Sequence, residues 1–300
     1  MKIYYFKKKI ILFILSIICL ILSFLALYKI EENLEYKQDD LTIISCYYKV
    51  KSKHKPREYW DWISNLVKLN KSIVFFGNEK SIRLLKRMRP KKFHYKTIFN
   101  TLEISEFYSY KNFIKEFTAS WKIDFEKSYQ TIPLYLIWAE KCNFLKKTIE
   151  KNYFNSTCFY WVDIGYFREK NEMNKYSENW PSTKKCYEDP RLLLGQVRNI
   201  SNSEKEKILK FDIDSHIYLQ KNVRNVASGV FGGQANNIIK FVNLYYNSLR
   251  LFIKYKLFIG KEQNIFTYIA LSNPKIVKLT FCKTFFDFKI YLSWIFHIDI

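Results

Sequence analysis

One carboxylate in this sequence stands where a carboxylate is costly. Asp163 closes the run Cys158, Phe159, Tyr160, Trp161, Val162, an apolar and aromatic stretch that reads as a buried strand over residues 158–165. A charge at the end of such a strand needs a cation, a sugar hydroxyl or a backbone donor beside it, or else it caps the turn before Gly165, as Asp often does. Arg168, five residues on, can pair bidentately with phosphate oxygens or form a salt bridge to a neighbouring Glu. Gly229, Gly232 and Gly233 in the segment Ser228-Gly-Val-Phe-Gly-Gly read as a turn. Such a turn lets backbone N–H groups approach a ligand closely, with a helix N-terminus behind it, or simply joins a strand to a helix. Glu262 opens a helical stretch, where a carboxylate serves as a base or complements the helix dipole. Asp212 and Asp214, with His216 two residues on, form an Asp-x-Asp of the kind a hard cation takes, but the pattern is short and common and its polar surroundings are typical of a solvated edge.

Other chemistries lack their signals. The chain has no His-Glu-x-x-His, P-loop, Gly-x-Ser-x-Gly or Gly-x-Gly-x-x-Gly sequence. Its four histidines (His54, His94, His216, His297) are dispersed, so spacing supports no Ser-His-Asp triad. Six cysteines form no Cys-x-x-Cys and no zinc spacing. Leaving out Cys19 in the apolar N-terminal run, the other five allow at most two disulfides.

Strand-like and helix-like segments alternate from residue 41 onwards and would position these groups. Strands are expected over residues 41–50, 72–77 and 275–279, with an extended segment over 93–104. Helices are expected over 56–69 (opened by Pro56), 79–88, 107–117, 133–151, 236–254 and 262–272. Alternation of this kind predicts βαβ units, hence an α/β fold with a mostly parallel central sheet covered on both faces. Ligands of such sheets bind at the carboxyl ends of the strands, where Asp163 falls.

The composition excludes several classes. Of 300 residues, 48% are hydrophobic, and Gly and Pro number only 7 and 6, so the chain is neither disordered nor a linker. Lys and Arg number 50 against 28 Asp and Glu, a net charge of +22. That excess favours anionic ligands, yet the basic residues are scattered without a dense block after Lys9, and no nucleic-acid partner is expected. Residues 10–28 carry no charge, follow Lys7, Lys8 and Lys9, and precede Glu31, Glu32 and Glu35. This layout predicts a transmembrane signal anchor. The expected organisation is a cytosolic tail (1–9), the anchor (10–28), a stem (29–40) and one domain (41–300). That makes a single-pass type II membrane protein, facing the Golgi or endoplasmic reticulum lumen if the source is eukaryotic.

Three blocks in order resemble the HtrL/YibB family: residues 132–141 (IPLYLIWAEK), 159–168 (FYWVDIGYFR) and 228–233 (SGVFGG). More distantly, the chain resembles glycosyltransferases of the GT-A fold, in particular the ABO-type α-1,3-galactosyl and N-acetylgalactosaminyl transferases. Those have an aromatic strand ending in Asp-Val-Asp, a Gly-rich turn and an acidic residue before a helix. The resemblance implies a GT-A-like nucleotide-sugar-binding fold and a hexosyltransferase-type glycosyltransferase, with a nucleotide-sugar donor and a glycan acceptor as partners. It implies catalytic roles for Glu262 and Asp163, and donor binding by Asp163, Arg168, Gly229, Gly232 and Gly233. It also implies a divalent cation, Mn or Mg, at Asp163, although Gly165 stands where the second Asp of the Asp-x-Asp would be. Two alternatives remain at this level: a non-catalytic carbohydrate- or nucleotide-binding relative of GT-A fold, and a basic membrane-associated protein binding anionic lipid or nucleic acid.

Overall fold

The strand that carries Asp163 lies in the middle of a seven-stranded sheet. The computed structural model describes residues 16–20, 23, 40–169, 172, 176, 180–212 and 225–282. The strands are β1 (Leu41–Tyr47), β2 (Ser72–Gly77), β3 (Thr97–Thr101), β4 (Cys158–Val162), β5 (Leu192–Gln196), β6 (Val226–Gln234) and β7 (Val277–Phe281), in the order β3-β2-β1-β4-β6-β5-β7. Only β6 runs against its neighbours β4 and β5; the other four pairings are parallel. The fold is therefore α/β with a mostly parallel sheet. All seven residues of β1 and all five of β4 are buried, the pattern of strands covered on both faces. Alternate residues serve opposite faces: Phe159 and Trp161 enter one core with Phe144, Phe241 and Phe266, while Cys158, Tyr160 and Val162 enter the other with Ile63, Leu66 and Leu85.

Helices α1 (Pro56–Leu66), α2 (Glu79–Met88), α3 (Tyr108–Ile123), α4 (Ile132–Lys151), α5 (Thr183–Glu188), α6 (Asn202–Lys210), α7 (Ala235–Lys254) and α8 (Glu262–Ser272) complete the unit. Local chemistry sets many of their ends. Pro56 and Pro133 sit in the first turns of α1 and α4, where the missing N–H costs nothing. Asn78 accepts from the Ser81 N–H to cap α2, and Ser201 and Glu204 form a reciprocal capping box on α6.

Two expectations are corrected, and three elements come in addition to those expected. The Gly-rich segment is not a turn but lies within β6, and its glycines serve close strand pairing: a Cβ on Gly232 would fall 2.2 Å from the Phe159 carbonyl oxygen. Residues 93–104 are not extended throughout, because a 3₁₀ segment (Lys91–Lys96) precedes β3. Strand β5 and helices α5 and α6 were not foreseen. Cys158 and Cys186 form a disulfide that ties the start of β4 to α5.

The chain divides into two compact units, Met1–Gln38 and Asp39–Ile300. Most of the uncharged run 10–28 lies outside the described residues, and among the described residues no helix is long and apolar enough to cross a membrane.

Candidate functional site

At the carboxyl end of β4 the chain opens a cleft of about 640 Å³. Because β6 is antiparallel to β4, with Val230 opposite Val162, the first residues of β6 lie beside the last of β4. Ser228 and Gly229 therefore reach the cleft, whereas Gly232 and Gly233, opposite Tyr160 and Phe159, do not line it. Helix α8 delivers Glu262 at its first turn, α4 delivers Lys141, and α1 delivers Tyr59 and Trp62.

Three charged side chains meet on the floor. The Lys141 ammonium donates to Glu262 Oε1 at 2.7 Å and to the Ser228 carbonyl oxygen at 3.2 Å, and it lies 2.9 Å from Asp163 Oδ1. Ser228 Oγ adds a hydrogen bond to Glu262 Oε1 at 2.8 Å. Trp161 Nε1 donates to Asp163 Oδ1 at 2.6 Å, and the Asp163 backbone N–H donates to the Gly229 carbonyl at 2.7 Å. The side chains of Lys141 and Glu262 are 2% and 4% exposed and that of Asp163 is 38% exposed, so Asp163 is the carboxylate that faces the cleft. Its hydrogen bonds go to Oδ1.

Burial pushes the Asp163 carboxyl above the usual carboxylate range, against the pull of Lys141 and Trp161. For Lys141, burial alone would lower the pKa, but Asp163 and Glu262 together hold it above the ordinary lysine value. The ammonium is thus charged at every relevant pH. A lone buried ion would be prohibitive; here each finds its partner within hydrogen-bond distance.

Aromatic rings build one wall. Trp62 packs edge-on to His54 and Tyr59, with centroid distances of 4.8 and 5.1 Å. The Arg168 guanidinium lies 4.8 Å from the Trp62 ring centre, and its Nε donates to the Gly165 carbonyl. Gly165 has a physical reason to be glycine: a Cβ there would sit 2.7 Å from Trp62 Cε3. The place of a second Asp is filled by an indole.

Of the residues expected from the sequence, Asp163, Glu262, Arg168 and Gly229 come together around the cleft, and Gly232 and Gly233 do not. Asp214 and His216 lie outside the described residues; Asp212 follows the end of α6 and does not line the cleft. Sequence reasoning missed Lys141, Ser228 and Trp62. For Lys141 a signal existed: it falls four residues after Ile137 and four before Leu145, both buried, so a lysine on an apolar stripe asked for a buried partner. Glu140, its neighbour, accepts from the Tyr108 and Ser109 N–H groups at the start of α3 and serves the fold.

Residues 40–293 match the family described as "Bacterial protein of unknown function (HtrL_YibB)". The chain belongs to the HtrL/YibB family. No curated protein matches this HtrL/YibB chain. Among solved structures it is similar to core-mannan synthase A from Aspergillus fumigatus in a Mn/GDP form. That match has 13% identity over 80% of this chain and 72% of that one, with a TM-score of 0.46. It is also similar to the apo form of the bifunctional glycosyltransferase WbbM, at 9% identity over 80% of this chain and 38% of that one, with a TM-score of 0.37. At such scores neither likeness carries a residue's role to this HtrL/YibB member.

Proposed function

We propose that the protein is a GT-A-type glycosyltransferase that transfers a sugar from a nucleotide-sugar donor to a glycan or glycoconjugate acceptor. The observation that carries the reading is the joined set Asp163, Lys141 and Glu262 at the carboxyl end of the central strand, on the floor of an aromatic-walled cleft. A carboxylate that keeps one oxygen open to such a cleft is suited to accept hydroxyl protons, and aromatic faces suit the apolar faces of sugar rings.

In this reading the sugar lies against Asp163 with its diphosphate toward Arg168, Lys49 and Lys53, which line the same cleft. The bond from the anomeric carbon to the diphosphate oxygen breaks, and the nucleoside diphosphate leaves with that electron pair. The acceptor oxygen bonds the anomeric carbon, and its proton passes to a carboxylate. Asp163 is the better placed of the two for that proton, because its side chain faces the cleft while that of Glu262 is buried beneath it. Glu262, whose Oε1 already accepts from Lys141 and Ser228, supplies fixed negative charge beneath the reacting sugar. An anchor at residues 10–28, with the organisation of tail, stem and a domain over 41–300, would place this chemistry in a type II membrane protein.

The test is a panel of radiolabelled nucleotide sugars with the purified chain, scored for donor hydrolysis and for transfer to mixed glycan acceptors. Turnover of one donor, lost in Asp163→Ala, is the expected result. Absence of turnover and of binding across the whole panel, with Asp163→Ala indistinguishable, overturns the reading.

A further inference from the structure

The floor of the cleft is organised around a lysine to which the transfer reaction above assigns no step. An ammonium has three hydrogens, and three oxygens converge on that of Lys141: Glu262 Oε1 at 2.7 Å, Asp163 Oδ1 at 2.9 Å and the Ser228 carbonyl at 3.2 Å. Carboxylate and carbonyl oxygens gathered in this way are also what a hard divalent cation takes. Here the protein's own side chain, 2% exposed, fills that cage.

The surroundings of Asp163 argue in the same direction. The second carboxylate of an Asp-x-Asp pair is replaced by Gly165, and Trp62 leaves no room even for a Cβ there. Trp62 is itself held among His54, Tyr59 and Arg168, so the indole cannot withdraw without breaking three contacts. Among the described residues no group of three or more His, Cys, Asp or Glu side chains is placed to hold a metal ion. Of the two Asp163 oxygens, Oδ1 already takes Trp161 and Lys141. A divalent ion at Oδ1 would meet the ammonium head-on. The donor set among the described residues does not fit a divalent cation.

We propose that Lys141 is the positioning residue of this site and its permanent cation. It stands in the place of a divalent metal ion, binds Asp163 and Glu262 into one unit, and makes donor binding independent of Mn²⁺ and Mg²⁺. The two carboxylates and one ammonium leave the floor with a net charge of −1. Phosphate charge is therefore met at the cleft wall by Arg168, Lys49 and Lys53 and not at the floor. The inference rests on the nucleotide-sugar reading for its ligand, but its geometric core, a cage already filled, does not.

The experiment has two arms. In the first, the purified full-length chain is titrated with nucleotide sugars in EDTA and in Mn²⁺. Wild-type affinity is expected to agree within about twofold between the two buffers, whereas a loss of about tenfold or more in EDTA that Mn²⁺ restores overturns the proposal. Lys141→Ala is expected to lose donor binding roughly 100-fold in EDTA, because two carboxylates are left without their counter-ion, and to regain part of it in Mn²⁺. A merely structural lysine would give a loss that Mn²⁺ leaves untouched, and that result also overturns the proposal.

The second arm uses Mn²⁺ alone and reads the electron paramagnetic resonance signal of the free ion. Wild type should leave the signal unchanged and Lys141→Ala, with its cage emptied, should reduce it. Mn²⁺ capture by wild type, abolished in Asp163→Asn, sinks the idea. Should no nucleotide sugar bind wild type in either buffer, the transfer reading fails while the Mn²⁺ arm still decides the role of Lys141. Should Lys141→Ala fail to fold, both wild-type measurements stand without it.

Discussion

Replacing Gly165 by Ala is a small chemical change for which the structure predicts a large effect. The new Cβ would lie 2.7 Å from Trp62 Cε3 and 3.2 Å from Cζ3, closer than carbon atoms approach without strain. Trp62 is 6% exposed and packed against His54, Tyr59 and Arg168, so moving the ring aside breaks those contacts. Overpacking of a filled site costs about 1–3 kcal/mol; taking about 2 kcal/mol gives a fall in melting temperature of about 4–8 °C for a domain of this size. Thermal and urea unfolding of Gly165→Ala would read this directly. Trp62→Leu in the same chain removes the obstructing ring, and the double-mutant cycle should show a coupling of about 1–2 kcal/mol, with the second substitution relieving the first. A neutral Gly165→Ala, or a cycle with no coupling, would refute the argument that the indole excludes a second carboxylate.

Two further outcomes follow from groups outside the cleft floor. Glu140→Ala strips the Tyr108 and Ser109 N–H groups and the Ser109 hydroxyl of their shared acceptor at the start of α3, so it should cost about 3 kcal/mol in urea unfolding, with Glu140→Gln recovering part of that. Asp189 is held below the ordinary carboxylate pKa, chiefly by its hydrogen bonds to the Arg191 side chain and further by Lys278. A carboxyl whose folded-state pKa is depressed contributes stability above its unfolded pKa and loses it as pH falls through the folded value. Asp189→Asn should therefore cost roughly 2 kcal/mol near neutral pH, and the gap to wild type should narrow steadily in urea unfolding below about pH 4.

Much of the fold was legible because its signals are local. Pro56 and the apolar pattern from Pro133 marked helices that the structure places within a few residues of the sequence reading, and Glu262 opens α8 as expected. Strand β4 and Asp163 at its end were legible from an aromatic run with a carboxylate behind it. What failed was non-local. Glycines read singly say turn, yet Gly232 and Gly233 are glycine because β4 and the residues leading into β5 press against them, which no local pattern reveals. Strand β5 is too short an apolar run to separate from a loop or a helix fragment. The Asp163, Lys141 and Glu262 cluster joins residues 22 and 99 positions apart, read as 163 − 141 and 262 − 163. The sequence offered the two carboxylates and a lysine on an apolar stripe; only the fold joins the three.

The most direct test of the central claim is calorimetric titration of nucleotide sugars into wild type and Asp163→Asn. The Asn side chain keeps the shape of Asp163 and can still accept from Trp161 and Lys141, so the floor stays assembled while the cleft-facing negative charge is removed. The account predicts that at least one donor binds wild type and that Asp163→Asn, folded as judged by its melting curve, weakens it by about tenfold or more. Equal affinity in the two proteins, or no binding by any donor to wild type, would contradict it.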